Sequence, residues 1–199
     1  MKVAIVTTSI IGAALIMGAV TYGAKFYDQI RPELYAINSG GCLSDLKAKG
    51  VKFTPARDGT GVCRTPNAVT VRQLGATELD KPLTMTCNLA NDLADWTFDN
   101  RLQKIWTMGV KSCRKNRKNN TLSEHAYGNA IDIHKVAYVD RAYTVSPRTP
   151  LRDLHRSACS HFGVALAPLS DRLHHDHFHL DSGYYLGLGK LRCLLTTLK

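Results

Sequence analysis

Two short stretches, Ala130-Ile131-Asp132-Ile133-His134 and His177-Phe178-His179-Leu180-Asp181, alternate apolar and ionisable residues with a period of two. Side chains two apart on a strand share a face, so each stretch can bury its Ile, Phe and Leu side chains on one side only and must turn its carboxylates and imidazoles to the other. One face of such a sheet needs apolar cover and the other lines a polar cleft. This predicts an α+β domain, a small antiparallel sheet with helices packed on one face and the candidate site in a cleft on the other. If the two strands are neighbours, His177 and His179 project towards the same cleft as Asp132.

The helical cover comes from two segments. Asn88 is a possible N-cap for a helix carrying Leu89, Leu93, Trp96, Leu102, Ile105 and Trp106 at mostly three- and four-residue spacing before Gly109. The stripe shifts phase near Phe98, which marks a possible break, and both tryptophans read as core. Pro150 opens a second helix with Leu151, Leu154, Ala158 and Phe162 on one face and Gly163 as its stop; His155 and His161 ride on it as surface residues. Between Cys42 and Cys87, short apolar runs broken by glycines and prolines predict small strands and turns without chemistry. Residues 25–41 mix charges with Pro32 and end in Ser39-Gly40-Gly41, a linker composition.

At 199 residues the chain has room for one well-buried domain, here residues 42–199, ahead of which the linker follows a segment of another kind. From Val3 to Ala24 there is no charged residue, and Lys2 precedes the run. Residues 1–24 therefore read as a signal or a spanning helix. Tyr22 stands where a cleavage site wants a small side chain, and the length suits a hydrocarbon core of about 30 Å, so an uncleaved anchor is favoured. Flanking charges do not orient it. Six cysteines (Cys42, Cys63, Cys87, Cys113, Cys159 and Cys193) form no C-x-x-C pair. That argues for disulfides in an oxidising compartment, with three bridges the natural count and the pairing open. The domain is thus expected to face the periplasm or exterior. The net charge of +10 suits nucleic acid, anionic lipid or an anionic wall polymer equally and says nothing of reaction type.

Ser123-Glu124-His125-Ala126-Tyr127-Gly128-Asn129-Ala130-Ile131-Asp132 places an imidazole and a carboxylate on either side of a glycine turn, and His174-His175-Asp176-His177-Phe178-His179 supplies a second cluster. Zinc in a hydrolytic site takes three N or O ligands and leaves a fourth position to water. His125, Asp132 and one histidine of the second cluster supply that set, while another histidine is left to contact substrate or the transition state. Gly128 and the small Ala130 let the chain swing from the His125 loop into the Asp132 strand.

Ser-x-His-x-x-Gly-x-Ala-x-Asp at 123–132 with a late His-x-His at 177–179 resembles the D-alanyl-D-alanine carboxypeptidase group of zinc peptidases, which shares its fold core with lysostaphin-type peptidases and the hedgehog signalling domain. Ser112-Cys113-Arg114, Ser123-Glu124-His125 and His175-Asp176-His177-Phe178-His179-Leu180-Asp181 are more closely similar to the bacterial extensin-like C-terminal domain. The likeness runs from about Cys42 to the C-terminus and is specific in those three stretches. It implies Zn²⁺ ligation by His125, Asp132 and His179. It also implies a general base three residues before the last ligand, which is Asp176 here, with His177 and His174 as competitors. Arg114, eleven residues before His125, is in line to bind a substrate carboxylate or the developing oxyanion, or else belongs to a solvated basic loop with Lys111, Lys115, Arg117 and Lys118. Ser123 is read as fixing the loop through a backbone hydrogen bond, and His134 as capping a strand end.

The expected function is metal-assisted hydrolysis of peptidoglycan stem or cross-link peptides in the cell envelope, without a covalent acyl-enzyme. A zinc-containing module that binds wall or partner without catalysis is the rival reading, because fold does not settle activity. A nuclease is disfavoured by the exported topology and by the first motif, so no nucleic-acid partner is expected.

Overall fold

The computed structural model describes residues 25–37, 40–116, 121–168 and 170–183. The expected membrane segment at 1–24 and Cys193 lie outside them. Among the described residues, no helix is long and apolar enough to cross a membrane.

The chain is α+β. Residues 25–37 are helical (α1), and α2 (Cys42–Ala48), α3 (Cys87–Asp99) and α4 (Arg152–His161) follow. The strands are β1 (Lys52–Pro55), β2 (Ala68–Leu74), β3 (Thr77–Thr86), β4 (Lys104–Gly109), β5 (Ala130–Ala137), β6 (Ala142–Thr144), β7 (Val164–Leu166) and β8 (Phe178–Asp181). They form one eight-stranded sheet in the order β1-β2-β3-β4-β5-β8-β7, with β6 paired to β5. The sheet is larger than the small one expected. It is antiparallel except where β3 and β4 run parallel, as the α3 crossover between them requires.

The alternation at 130–134 and 177–181 is realised in β5 and β8, which pair antiparallel with Asp132 opposite His179 and Ile131 opposite Leu180. Ile131, Ile133, Phe178 and Leu180 are buried in one core with Leu46 of α2, Leu89, Leu93 and Trp96 of α3, and Leu154 and Ala158 of α4. Trp96 meets Phe162 edge-on, with ring centroids 6.0 Å apart.

The expected helix from Asn88 to Trp106 is a helix followed by a strand. Thr86, not Asn88, is the N-cap, its hydroxyl accepting from Leu89 N at 3.2 Å. The helix ends after Asp99: Arg101 turns left-handed at φ 53°, Arg101 N donates to Phe98 O and Leu102 N to Thr97 O, both at 3.0 Å. This is a Schellman stop with arginine in the place usually taken by glycine. Leu102 and Ile105 continued the apolar stripe because both are buried, but β4 buries Ile105 by strand alternation. Trp106, expected in the core, is half-buried on β4, with the Lys104 and Lys135 ammonium groups 5.3 and 4.6 Å from its ring centre.

The second helix starts two residues later than Pro150 suggested, at Arg152, with Leu151 at its cap position. Gly163 follows its end not as a left-handed cap but because any Cβ there would overlap Gly183 O, where the chain closes against β8. His155, expected on the surface, is 5% exposed; its Nε2–H donates to Ala165 O at 3.1 Å and its ring stacks on Phe178 at 6.2 Å. His161 is partly buried beside Asp99, at 3.2 Å.

The expected linker at 25–41 is mostly α1. Asp28, Arg31 and Tyr35 recur at helical spacing and make one face. Because that face is polar, it gives no hydrophobic signal. Two disulfides fall within the described residues, Cys42–Cys87 between the starts of α2 and α3, and Cys63–Cys113 between two loops; Cys159 is disulfide-bonded as well.

Candidate metal centre

His125 lies in a short 3-10 turn, Glu124–Tyr127, that Ser123 caps by accepting from His125 N at 3.4 Å. Gly128 ends the turn at φ 66°, with Thr65 packed so closely that a Cβ would lie 2.9 Å from its methyl group. Glycine is therefore required both by conformation and by space. The chain then enters β5, which carries Asp132, and β8 brings His179 alongside it.

The three groups converge. His125 Nε2 is 3.1 Å from His179 Nδ1 and 3.2 Å from Asp132 Oδ1, and His179 Nδ1 is 3.1 Å from the same oxygen. Three tetrahedral donors about 2.0–2.1 Å from a Zn²⁺ ion stand about 3.3–3.4 Å from each other, so this near-equilateral triangle fits that ion with a few tenths of an ångström of expansion. The outer bonds agree. His125 Nδ1–H donates to Val110 O at 2.7 Å and His179 Nε2–H to Asp181 Oδ2 at 3.1 Å. Each ring thus spends one nitrogen on a fixed acceptor and turns the other towards the centre, as metal-binding imidazoles do.

Electrostatics follow the same geometry. Burial opposes ionisation of Asp132, but hydrogen bonds and charge from His125 and His179 overcome it and hold the carboxyl well below its usual range. Burial likewise disfavours a proton on His179, yet Asp132 and Asp181 outweigh it and lift the imidazole from 6.5 to about 9. Glu124, beside His125, is raised chiefly by burial and next by Asp181, against the opposing Arg31.

His177 is buried at the rim, with Nδ1–H donating to Asp176 Oδ1 at 2.7 Å and Nε2 3.7 Å from Asp132 Oδ1. Asp176 precedes β8, is 51% exposed, and stands behind His177 rather than in the triangle. His174 makes a matching pair with Asp171 at 2.7 Å; its ring centre is 5.2 Å from that of His177 and 5.4 Å from that of His179. Burial, foremost, lowers the His174 pKa. Arg114 is exposed in the irregular segment before the turn, where its carbonyl accepts from Ser123 N at 3.0 Å. His134, expected at a strand end, is inside β5, two residues beyond Asp132.

Several supporting residues carried a weaker signal. Asp181 was visible in the alternation as the next residue on His179's face. Val110, Arg31 and Tyr35 come from elsewhere in the chain, and Asn129 and Asp171, though within or next to the two clusters, have no spacing signature.

No curated protein and no solved structure matches the chain. The family described as extensin-like protein C-terminus matches residues 40–191, a span that contains the whole triangle and both imidazole–carboxylate pairs. The chain belongs to the extensin-like protein C-terminus family.

Proposed function

We propose that the protein is a zinc-dependent peptidase of the cell envelope that hydrolyses peptidoglycan stem or cross-link peptides. The observation that carries this reading is the triangle of His125, Asp132 and His179 donors at 3.1–3.2 Å, with the outer nitrogens of both imidazoles already committed. The likeness of 123–132 and 177–179 to D-alanyl-D-alanine carboxypeptidase-type motifs supports the substrate class. The disulfides support an oxidising compartment.

Zn²⁺ bound there supplies Lewis acidity and lowers the pKa of a water to about 7. His177 is the proton carrier: Asp176 fixes its Nδ1–H tautomer, so Nε2 at the rim can take a proton from the attacking water and return it to the leaving amine. Asp176 therefore acts through His177 as its orienting carboxylate, not as the base itself. His174, whose Nδ1–H is held in the same way by Asp171, keeps an unprotonated Nε2 and is the second group able to accept that proton. Arg114, exposed ahead of the turn, supplies a guanidinium to a substrate carboxylate.

The deciding experiment measures zinc content and release of peptide fragments from purified peptidoglycan by wild type, His179→Ala, His177→Ala and Asp176→Asn. The expected result is about one zinc per wild-type chain, loss of metal in His179→Ala, and retained metal with a drop in kcat of about 10²–10⁴-fold in His177→Ala. Zinc without cleavage, in wild type tried across wall preparations, points instead to a wall- or partner-binding module. Folded protein that binds no zinc when zinc is supplied ends the proposal.

A further inference from the structure

Glu124 sits one residue before His125 and is 5% exposed. Arg31 Nη1 donates to its Oε1 at 2.6 Å, and the Tyr35 hydroxyl lies 2.8 and 2.7 Å from its two oxygens. Asn129 Nδ2 donates to Oε2 at 3.1 Å. Arg31 and Tyr35 belong to α1, which ends before the family-matched residues 40–191 begin.

The grip of α1 extends to both sides of His125. Arg31 Nη2 donates to Leu122 O at 2.8 Å, and the Asp28 carboxylate accepts from Leu122 N at 3.0 Å. On the other side the Tyr127 hydroxyl donates to Asp28 O at 3.2 Å, and Tyr127 meets Tyr35 edge-on at 5.9 Å. The Arg31 guanidinium itself lies 4.7 Å from the ring centres of both Tyr27 and Tyr127. Leu122, Glu124 and Tyr127 are thus all tied to α1, while His125 between them reaches the triangle.

The turn needs such help. It is a single four-residue 3-10 turn followed by a left-handed glycine, and a turn of that kind has too few internal bonds to hold a ring nitrogen to the tolerance a metal site demands. Apolar packing alone would let it slide. A buried carboxylate bonded to a guanidinium and a phenol resists sliding, because any displacement leaves charge without its partner.

We propose that α1 is a strut of the metal site: Arg31 and Tyr35 are positioning residues that, through Glu124, hold the turn so that His125 Nε2 stays against Asp132 and His179. The functional unit then takes in α1, ahead of the matched family segment. The metal readout of this proposal rests on the zinc reading above; its structural readout does not.

The test uses the full chain with Arg31→Met, Tyr35→Phe, the pair Arg31→Met/Glu124→Gln, and Gln29→Ala on the exposed side of α1 as control. Zn²⁺ affinity is measured by chelator competition, and amide hydrogen exchange is followed in metal-free protein. Arg31→Met and Tyr35→Phe are expected to weaken Zn²⁺ binding at least about tenfold, in the range found for groups that orient metal ligands. They should speed exchange at 122–129 while leaving β2 and β3 as they are. Adding Glu124→Gln to Arg31→Met should recover part of the lost affinity, since no carboxylate is then left without its guanidinium. Affinities within twofold of wild type overturn the proposal. So does exchange that rises uniformly over the sheet, which marks α1 as a general stabiliser only. If wild type binds no zinc, the metal reading fails and the exchange pattern alone decides the strut: a rise confined to 122–129 upholds it, and a uniform rise or none overturns it.

Discussion

His179 has a carboxylate at each ring nitrogen, Asp132 at Nδ1 and Asp181 at Nε2, both at 3.1 Å. Their pull lifts its pKa to about 9 in the metal-free fold, against burial, from 6.5. Between those values the folded chain holds a proton that the unfolded chain has lost. The stability this adds is therefore complete below about pH 6.5 and disappears as pH rises through about 9. Thermal unfolding of the metal-free protein should show Tm falling across that window and His179→Gln should flatten the fall; equal slopes in both would remove the claim. Asp181 acts on the other nitrogen, so Asp181→Asn is expected to weaken Zn²⁺ binding about 10–100-fold without deleting a ligand. Unchanged affinity in chelator competition would show that Asp181 does not orient the ring.

Elements decide where these residues stand. Arg101 holds the left-handed position that ends α3 at φ 53°, a conformation that costs an L-residue about 1 kcal/mol or more. Arg101→Gly relieves that cost and gives part of it back as unfolded-chain entropy, for an expected net gain of about 0.5–1 kcal/mol. Calorimetry should read this as a Tm rise of about 1–4 °C; a fall would mean that the arginine side chain matters more than the backbone. On α4, burial lowers the pKa of His155. The unfolded chain then takes up a proton below about 6.5 that the folded chain resists, so stability declines as pH falls below that value. His155→Gln, which keeps a donor for Ala165 O, should reduce this acid-side slope in urea titrations at pH 5 and 7.

At the scale of the whole molecule, the sheet alone does not assemble the site. The Cys42–Cys87 bridge ties the start of α2 to the start of α3 across 45 residues, and Thr86 at that same corner donates to Asn129 Oδ1 at 2.8 Å, beside the His125 turn. Closing a loop of that length is worth about 3–4 kcal/mol. The Cys42→Ser/Cys87→Ser pair is expected to lower stability by that order in denaturant unfolding, and a loss below about 1 kcal/mol would show that the α2–α3 packing holds the corner without the bridge.

How much of this was legible follows from the physics of each signal. Strand alternation is a local property, so the faces of β5 and β8 could be read directly from residues 130–134 and 177–181, whereas the pairing that sets Asp132 beside His179 was only a condition in the sequence and was met by the fold. Helix patterning was legible where apolar residues carried it, as in α4, and failed at Leu102 and Ile105, because burial in a helix and burial in a strand leave the same residue types. The polar face of α1 gave no pattern at all: Arg31, Tyr35 and Asp28 are buried or half-buried only because Glu124, Leu122 and Tyr127 lie about ninety residues away along the chain and opposite them in space. The residue types able to hold a metal, and the spacing that aims two of them, belong to the sequence by itself. Which imidazole nitrogen faces the centre, that Asp176 backs His177, and that a helix outside the family segment braces the His125 turn were decided only by tertiary structure, because each depends on partners that chain order does not bring together.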